Sequence, residues 1–546
     1  MAGMARTSSS PVRAPRTVVG TLDADRHASV DPRGRVHIDG QPWVLDWWIG
    51  AEDRWHVPAD EAAVRQRLIG TAPVVETRVR VPGGDAVQRV FAARDPAGSP
   101  VVVVEIENDS KVPFALALAV GAPDPDGRGA VKEVSAEGTE VRVDGRLALL
   151  AARAPGRRVA RAQVDGPVAD VVLGGGAQPE AAVGAKCRDG RAQAAVVFPL
   201  AHTATLRIVL PFDGGTLDVD ALPTAAQVAS GWRVHTRRGT RLELPDRRLQ
   251  DAIDANVCHL LLRPEGLRVA AALARFGFAA EVAPTLLADP EMVRGREAPG
   301  DRLLALTAHW TLTRDEAFAD AAVPLVASLV AALGASGSPT ELRLGAIAAS
   351  GAAAMMVAAG EARGAEDVRR AGVAMATASA DAPPPPPAPP GVGPLLEMLS
   401  TSSPTWTWAG PDDGHELDVG AALLVGARGL MVSETEGDAP ELVLSPHVPA
   451  DWLGQGWEVH DLPTAHGRLS YAVRWHGDRP ALLWEVVGWP GAAPVRITCP
   501  GLDPAWSTTK ASGDALLAPV PLPAPAPEHG VTTPVVLAPK PPRGAG

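Results

Sequence analysis

Between Leu399 and His476 the hydrophobic period of the chain changes from that of helices to that of strands, and this switch limits the folds open to it. Glu416 to Ser433 reads as a helix. Leu442 to Trp452 and Trp457 to Tyr471 read as strands joined by tight turns. Half of the 14 Trp lie between Trp406 and Trp489, across this handover.

Upstream the period changes the other way. From Arg16 to about Asp213 the pattern is that of strands. Val75, Thr77, Val79 and Val81 alternate with Glu76, Arg78 and Arg80, which predicts one buried and one wet face. Pro82-Gly-Gly-Asp85 turns the chain into Ala86–Ala93. Val101–Glu107 and Phe114–Val120 read as a pair across Asn108–Lys111, and Glu140–Val143 and Arg146–Ala151 as a pair across Asp144-Gly145. Ala194–Val197 and Ala204–Leu210 follow. So many short strands predict a large antiparallel sandwich.

Helical periodicity starts at Pro245, where Leu249, Ile253, Val257 and Leu260 or Leu261 share one face. Further helices are predicted at 268–288, 301–313, 315–334, 340–360, 363–379 and, very short, Leu395–Leu399. With the helix over Glu416–Ser433 that makes eight. Asp381-Ala-Pro-Pro-Pro-Pro-Pro-Ala-Pro-Pro390 interrupts them, a stiff polyproline spacer with no core to build.

The fold class expected is therefore a multidomain α and β protein: an N-terminal antiparallel β-sandwich, an incomplete α/α-toroid-like helical domain and a C-terminal β region. The divisions are a disordered N-terminus over 1–16, the sandwich over 17–215, a connector over 216–245, and the helical domain over 246–434 with the spacer at 381–390. A β region over 435–520 and a Pro-rich tail over 521–546 complete the chain, with strand character in the tail only at Val531–Leu537.

Three segments carry a resemblance: Trp43-Val-Leu-Asp-Trp-Trp-Ile-Gly-Ala-Glu-Asp-Arg-Trp-His56, the strands over 101–120, and 442–485. With them the chain resembles the bacterial six-hairpin glycosidase superfamily, the glucoamylase-like (α/α)6 toroids with β domains attached, and within it a group of actinobacterial members. The likeness spans most of the chain, is poorest in the helical middle, and includes no catalytic signature. It implies a sandwich before the helices and a carbohydrate ligand. Twelve helices of about 14 residues with short loops need at least roughly 240 residues, whereas 246–434 holds about 190. The expected helical domain is thus a toroid with hairpins deleted.

The chemistry implied is inversion by two carboxylates, one acid and one base, about 6.5–9.5 Å apart across the sugar. Acids stand in two loops: Glu291, Glu297 and Asp301 before one helix, and Asp412, Asp413, Glu416 and Asp418 around the start of the last. In the family the Trp-Thr-Trp motif continues Trp-Pro-Glu and then Gly-Asp-Gly-His. Here Thr401-Ser-Ser-Pro-Thr-Trp406-Thr-Trp408 is followed by Ala409-Gly410, so the Glu is missing, while Asp413-Gly414-His415 matches the second piece. The earlier loop lacks the family's Trp. Asp413 and Glu297 are the candidate acid and base, and Trp406, Trp408 and His415 the candidate sugar contacts. Each has a second reading: Asp413 as a turn residue or helix N-cap, Glu297 and Glu291 as solvated loop charges, and the tryptophans as rings buried where the helices meet the sandwich. The function expected is a carbohydrate-active protein of glycosidase type with reduced or lost hydrolysis; the alternative is a non-catalytic sugar-binding or structural scaffold.

Other chemistries find little support. His447, His460, His466 and His476 lack a zinc-ligand spacing. Gly174-Gly-Gly176 is not followed by a helix pattern, as a phosphate loop requires, and no Gly-x-Ser-x-Gly elbow occurs. No cofactor or metal is expected. A net charge of −12 without a basic block argues against nucleic acid. Cys187, Cys258 and Cys499 are too few and too scattered for a disulfide framework. The uncharged run Leu344–Gly360 is mostly Ala and Gly, a buried helix more than a membrane span. Arg6, Arg13 and Arg16 precede no apolar segment, so a cytoplasmic location is expected. The dominance of Arg over Lys points to a GC-rich genome more than to a function.

Overall fold

The computed structural model describes residues 15–122, 129–213, 218–288, 298–382, 391–410, 416–435 and 439–522. Most of the spacer and of the tail, Val531–Leu537 included, lies outside them.

Two antiparallel sheets, of eight and nine strands, occupy Thr17 to Pro211. Their facing sides share one core. Leu45, Trp47, Ile49, Leu116 and Phe198 of one sheet meet Val79, Val90, Val104, Ile106 and Ile208 of the other. The alternation around Val75–Val81 holds, with one addition. On the outward side Glu76 is almost fully covered, because Arg67, Arg78 and Arg89 each aim Nε at its carboxylate at 2.8–3.0 Å. A buried carboxylate needs such partners.

One predicted pair is not a pair. Pro100–Ser110 bonds to Gly84–Arg94 and Thr205–Pro211, whereas Phe114–Gly121 bonds to Val44–Gly50 and Ala192–Leu200, in the opposite sheet. Phe114–Gly121 and the Val101–Val104 half of Pro100–Ser110 are apolar on both faces, so their pattern could not choose a partner. The crossing between sheets is built on Asn108, which is fully buried. Its amide donates to the Val112 and Leu200 carbonyls, and its Oδ1 accepts from the Ser110 backbone N–H and hydroxyl.

A short helix, α1 (Val168–Leu173), lies on the outer face of the eight-stranded sheet with Val168 and Val172 against Trp48, Ala117 and Val197. Gly174–Gly176 follow this helix and end it. The connector holds two unpredicted elements. Helix α2 (Ala225–Thr236) starts with a capping box in which Thr224 and Gln227 satisfy each other's backbone N–H. Arg241–Glu243 is an edge strand that pairs with Trp457–Thr464 of the C-terminal sheet.

Nine helices follow among the described residues: α3 (Arg247–Leu262), α4 (Leu267–Arg275), α5 (Ala279–Leu287), α6 (Pro299–Thr313), α7 (Glu316–Ser336), α8 (Pro339–Ala358), α9 (Ala362–Ala378), α10 (Gly393–Ser400) and α11 (Leu417–Met431). The single helix predicted at 268–288 is two. Phe276 and Phe278 are both buried, and Gly277 between them has φ +86°. That left-handed turn is cheap only for glycine. It lets the Phe276 carbonyl accept from the Thr240 N–H of the connector at 2.7 Å. Helices α11, α4, α6 and α8 pack side by side in that order, and α5, α7 and α9 pack behind them. By length and composition alone α7 and α8 could cross a membrane. Helix α8 buries Ala348, Ala349, Ala352, Ala353, Met355 and Met356 against its neighbours, and leaves Ile347 and Val357 half exposed.

After α11 the chain returns to strands, in a five-stranded and a four-stranded sheet. Their apolar sides continue the helical core. Tyr471 pins the junction: its hydroxyl donates to the Met431 carbonyl at the end of α11 (2.8 Å) and lies 2.9 Å from Ser445 Oγ. Trp457 donates to the same Ser445 oxygen at 3.1 Å.

Candidate functional site

The Trp-Thr-Trp segment folds around one hydroxyl. Ser403 Oγ lies 2.9 Å from Thr405 Oγ1 and 2.8 Å from Thr407 Oγ1, and accepts the backbone N–H of both threonines. Trp406 sits at the crown of this turn with φ +60°, and its N–H donates to the Ser403 carbonyl. The turn is bound to α3 by the Thr405 carbonyl, 3.0 Å from His259 Nε2, and by the Trp406 carbonyl, which accepts from Asn256 Nδ2 at 3.3 Å. Burial holds His259 down at about pKa 4, opposed by its bond to the Thr405 carbonyl, so near pH 7 the ring is neutral. On the other side Thr405 Oγ1 meets Thr17 Oγ1 of the first sandwich strand at 2.7 Å. Trp406 is partly buried against the helical core and the sandwich core together. Trp408 is 6% exposed, and its indole donates to the Met398 carbonyl of α10 at 3.0 Å.

The remaining predicted site residues separate into two groups. Asp413, Glu297, His415, Glu291 and Asp412 lie outside the described residues. Asp301, Glu416 and Asp418 stand at the first turns of α6 and α11, where a negative charge meets the positive end of the helix dipole. Asp418 also pairs with Arg268 at 3.6 Å. Of the four weighed histidines, His460 comes within ligand distance of two carboxylates, Glu243 and Glu458, across the strand pair 241–243 and 457–464. Glu458 is engaged by Arg474 at 2.5 Å and by His460 at 3.1 Å, and Glu243 by Arg241 at 3.6 Å.

A second site was not foreseen. Where α2, the start of α3, the connector strand and the C-terminal sheet converge there is a cavity of about 610 Å³. Its floor holds Asp254 and Gln250 of α3, and Trp457 and Val473 form a wall. Gln250 Nε2 donates to Asp254 Oδ1 at 3.1 Å, and Gln250 Oε1 accepts the Leu244 N–H. Burial pushes the Asp254 carboxyl up to about 6, the Gln250 bond opposing. Arg233, Arg237, Arg241, Arg247 and Arg474 surround it. A perturbed carboxyl in a cleft among polar groups makes this cavity a second candidate.

No family profile matches the chain, and no curated protein does. Solved structures do. A bacterial glucoamylase complexed with acarbose is similar at a TM-score of 0.48 and 9% identity, over 67% of each chain. A GH78 family rhamnosidase of Bacillus sp. GL1 is similar at 0.35 and 11%, over 71% of this chain and 53% of its own, so the present chain spans about half of it. A protein assigned as a kojibiose phosphorylase, from the human microbiome, is similar at 0.33 and 7%, over 91% and 86%.

Asp254 had a signal that sequence reasoning passed over. It is an acid flanked by Ile253, Ala255 and Val257 on a helix whose apolar face is broad, which places its carboxyl at the edge of the core. Four of the arginines, Arg233, Arg237, Arg241 and Arg247, stand close together in the sequence, a signal passed over because the connector was read without structure; only Arg474 is brought in from far along the chain.

Proposed function

We propose that the protein is a carbohydrate-active protein of glycosidase type that binds oligosaccharide and hydrolyses it weakly or not at all. The observation that carries the weak or lost hydrolysis is the use made of the Trp-Thr-Trp segment. The Thr405 hydroxyl, the Thr405 and Trp406 carbonyls and the Trp408 indole are spent on the first sandwich strand, α3 and α10. In addition, Ala409-Gly410 follows Trp408 where the resemblance calls for Pro-Glu, so Gly410 stands in place of the motif's Glu. The glycosidase assignment itself rests on the segments 43–56, 101–120 and 442–485. A second reading, a scaffold without a sugar ligand, is favoured by the burial of Trp408.

Calorimetric titration of the full chain with a panel of malto-oligosaccharides and rhamnose-containing oligosaccharides tests the proposal. Saturable binding of at least one member without release of reducing ends is expected. Absence of binding across the panel would reject it in favour of the scaffold.

A further inference from the structure

We infer that the junction cavity is a binding site for a small phosphate-bearing molecule. This does not depend on the oligosaccharide reading. The charges around the cavity do not cancel. Arg474 is matched by Glu458, and Arg241 by Glu243. That leaves Arg233, Arg237 and Arg247 facing one further acid, Asp254. The Arg233 side chain bonds to the Ser230 hydroxyl, Arg247 interacts electrostatically with Asp254, and the Arg237 guanidinium has no side-chain hydrogen bond or ion pair among the described residues. All three are exposed at the cavity, and their excess over the single acid makes its mouth positive in a chain of net charge −12, a patch that attracts an anion.

The surroundings favour phosphate over a lone carboxylate. Guanidinium groups present planar forks that bind phosphate oxygens in pairs, and several can share one phosphate. Arg247 is the first residue of α3, the end of a helix where cations are disfavoured and anions welcome. At that end its charge is offset within the chain by Asp254 of the same helix, whereas Arg233 stands in the last turn of α2, where a cation is favoured. Burial lifts the Asp254 carboxyl to about 6, so its charge, and with it its repulsion of an anion, fades as the pH falls through that value. Thr236, Thr240 and Gln250 supply neutral polar groups beside the charge. The volume suits a ligand the size of a phosphorylated monosaccharide or somewhat larger.

The test is calorimetric titration of the full chain with inorganic phosphate, glucose 6-phosphate and glucose, at two salt concentrations. One phosphate compound should bind once per chain, with affinity falling as salt rises. Arg237→Ala combined with Arg247→Ala should weaken it by about tenfold or more. The exposed pair Arg369→Ala with Arg370→Ala on α9 should change nothing. If the first pair does not fold, Arg237→Lys with Arg247→Lys keeps the charge but loses the forks, and should still weaken binding several-fold. Tighter binding of glucose 6-phosphate than of phosphate would place the sugar in the cavity, and equal binding would assign the site to the free anion; both support the inference. No saturable binding of either phosphate compound, or undiminished affinity in the arginine variants, overturns it.

Discussion

Replacing Trp408 by Ala measures how far the tryptophan segment serves the core. The ring is 6% exposed and packs in the helical core, so its removal opens a cavity that the surrounding helices can only partly fill. Substitutions of this kind cost about 3–5 kcal/mol. The lost indole bond adds little, about 1 kcal/mol, because the Met398 carbonyl keeps the Thr401 N–H at 3.2 Å and the Thr401 hydroxyl at 2.9 Å. Trp408→Phe keeps most of the volume and should lose roughly half as much. Urea denaturation followed by far-ultraviolet circular dichroism reads both. The helical signal is the one to follow, since a chain of several packed parts need not unfold in one step. A loss under about 1 kcal/mol for Trp408→Ala would show a ring free to leave its site, and the argument from burial would fail.

Two further outcomes follow from single groups. Asp254 has its carboxyl raised to about 6 in the folded chain, so the folded state holds its proton longer than the unfolded chain does, and stability falls as pH climbs from about 4 to 6. Asp254→Asn should therefore stabilise by up to about 2–3 kcal/mol at pH 8 and by nothing at pH 4; a gain independent of pH in denaturation midpoints would contradict the assignment. Tyr471 is the single tyrosine of the chain, and burial holds its phenol above the ordinary value. Absorbance at the phenolate band should stay flat through pH ~10 until the fold is lost, and Tyr471→Phe should cost about 1–3 kcal/mol.

Much of the architecture was legible because it follows from period. The apolar face of α3, the sandwich alternation at Val75–Val81 and the return to strands after α11 all bury what their spacing says. The failures have local causes. Phe114–Gly121 and the first half of Pro100–Ser110 are apolar on both faces, so nothing there marks the sheet; the buried Asn108 was a clue. The break at Gly277 is set by a contact with the connector, which lies more than thirty residues upstream. Thr224 and Gln227 spelled out a helix start that the polar connector hid. The candidate site was harder still. Trp406 and Trp408 stood out by type, but their surroundings come from α3, α10 and the first strand. Of the junction-cavity arginines, four run together between Arg233 and Arg247, and only Arg474 is added by the fold.

The central claim, a glycosidase-type scaffold whose hydrolysis is weak or lost, is tested most directly by reducing-end release from malto-oligosaccharides, comparing the wild-type chain with Asp413→Asn. The account predicts at most a slow release by the wild type, no lower in Asp413→Asn. Sustained release by the wild type, lowered about 10²–10⁴-fold in Asp413→Asn, would contradict it.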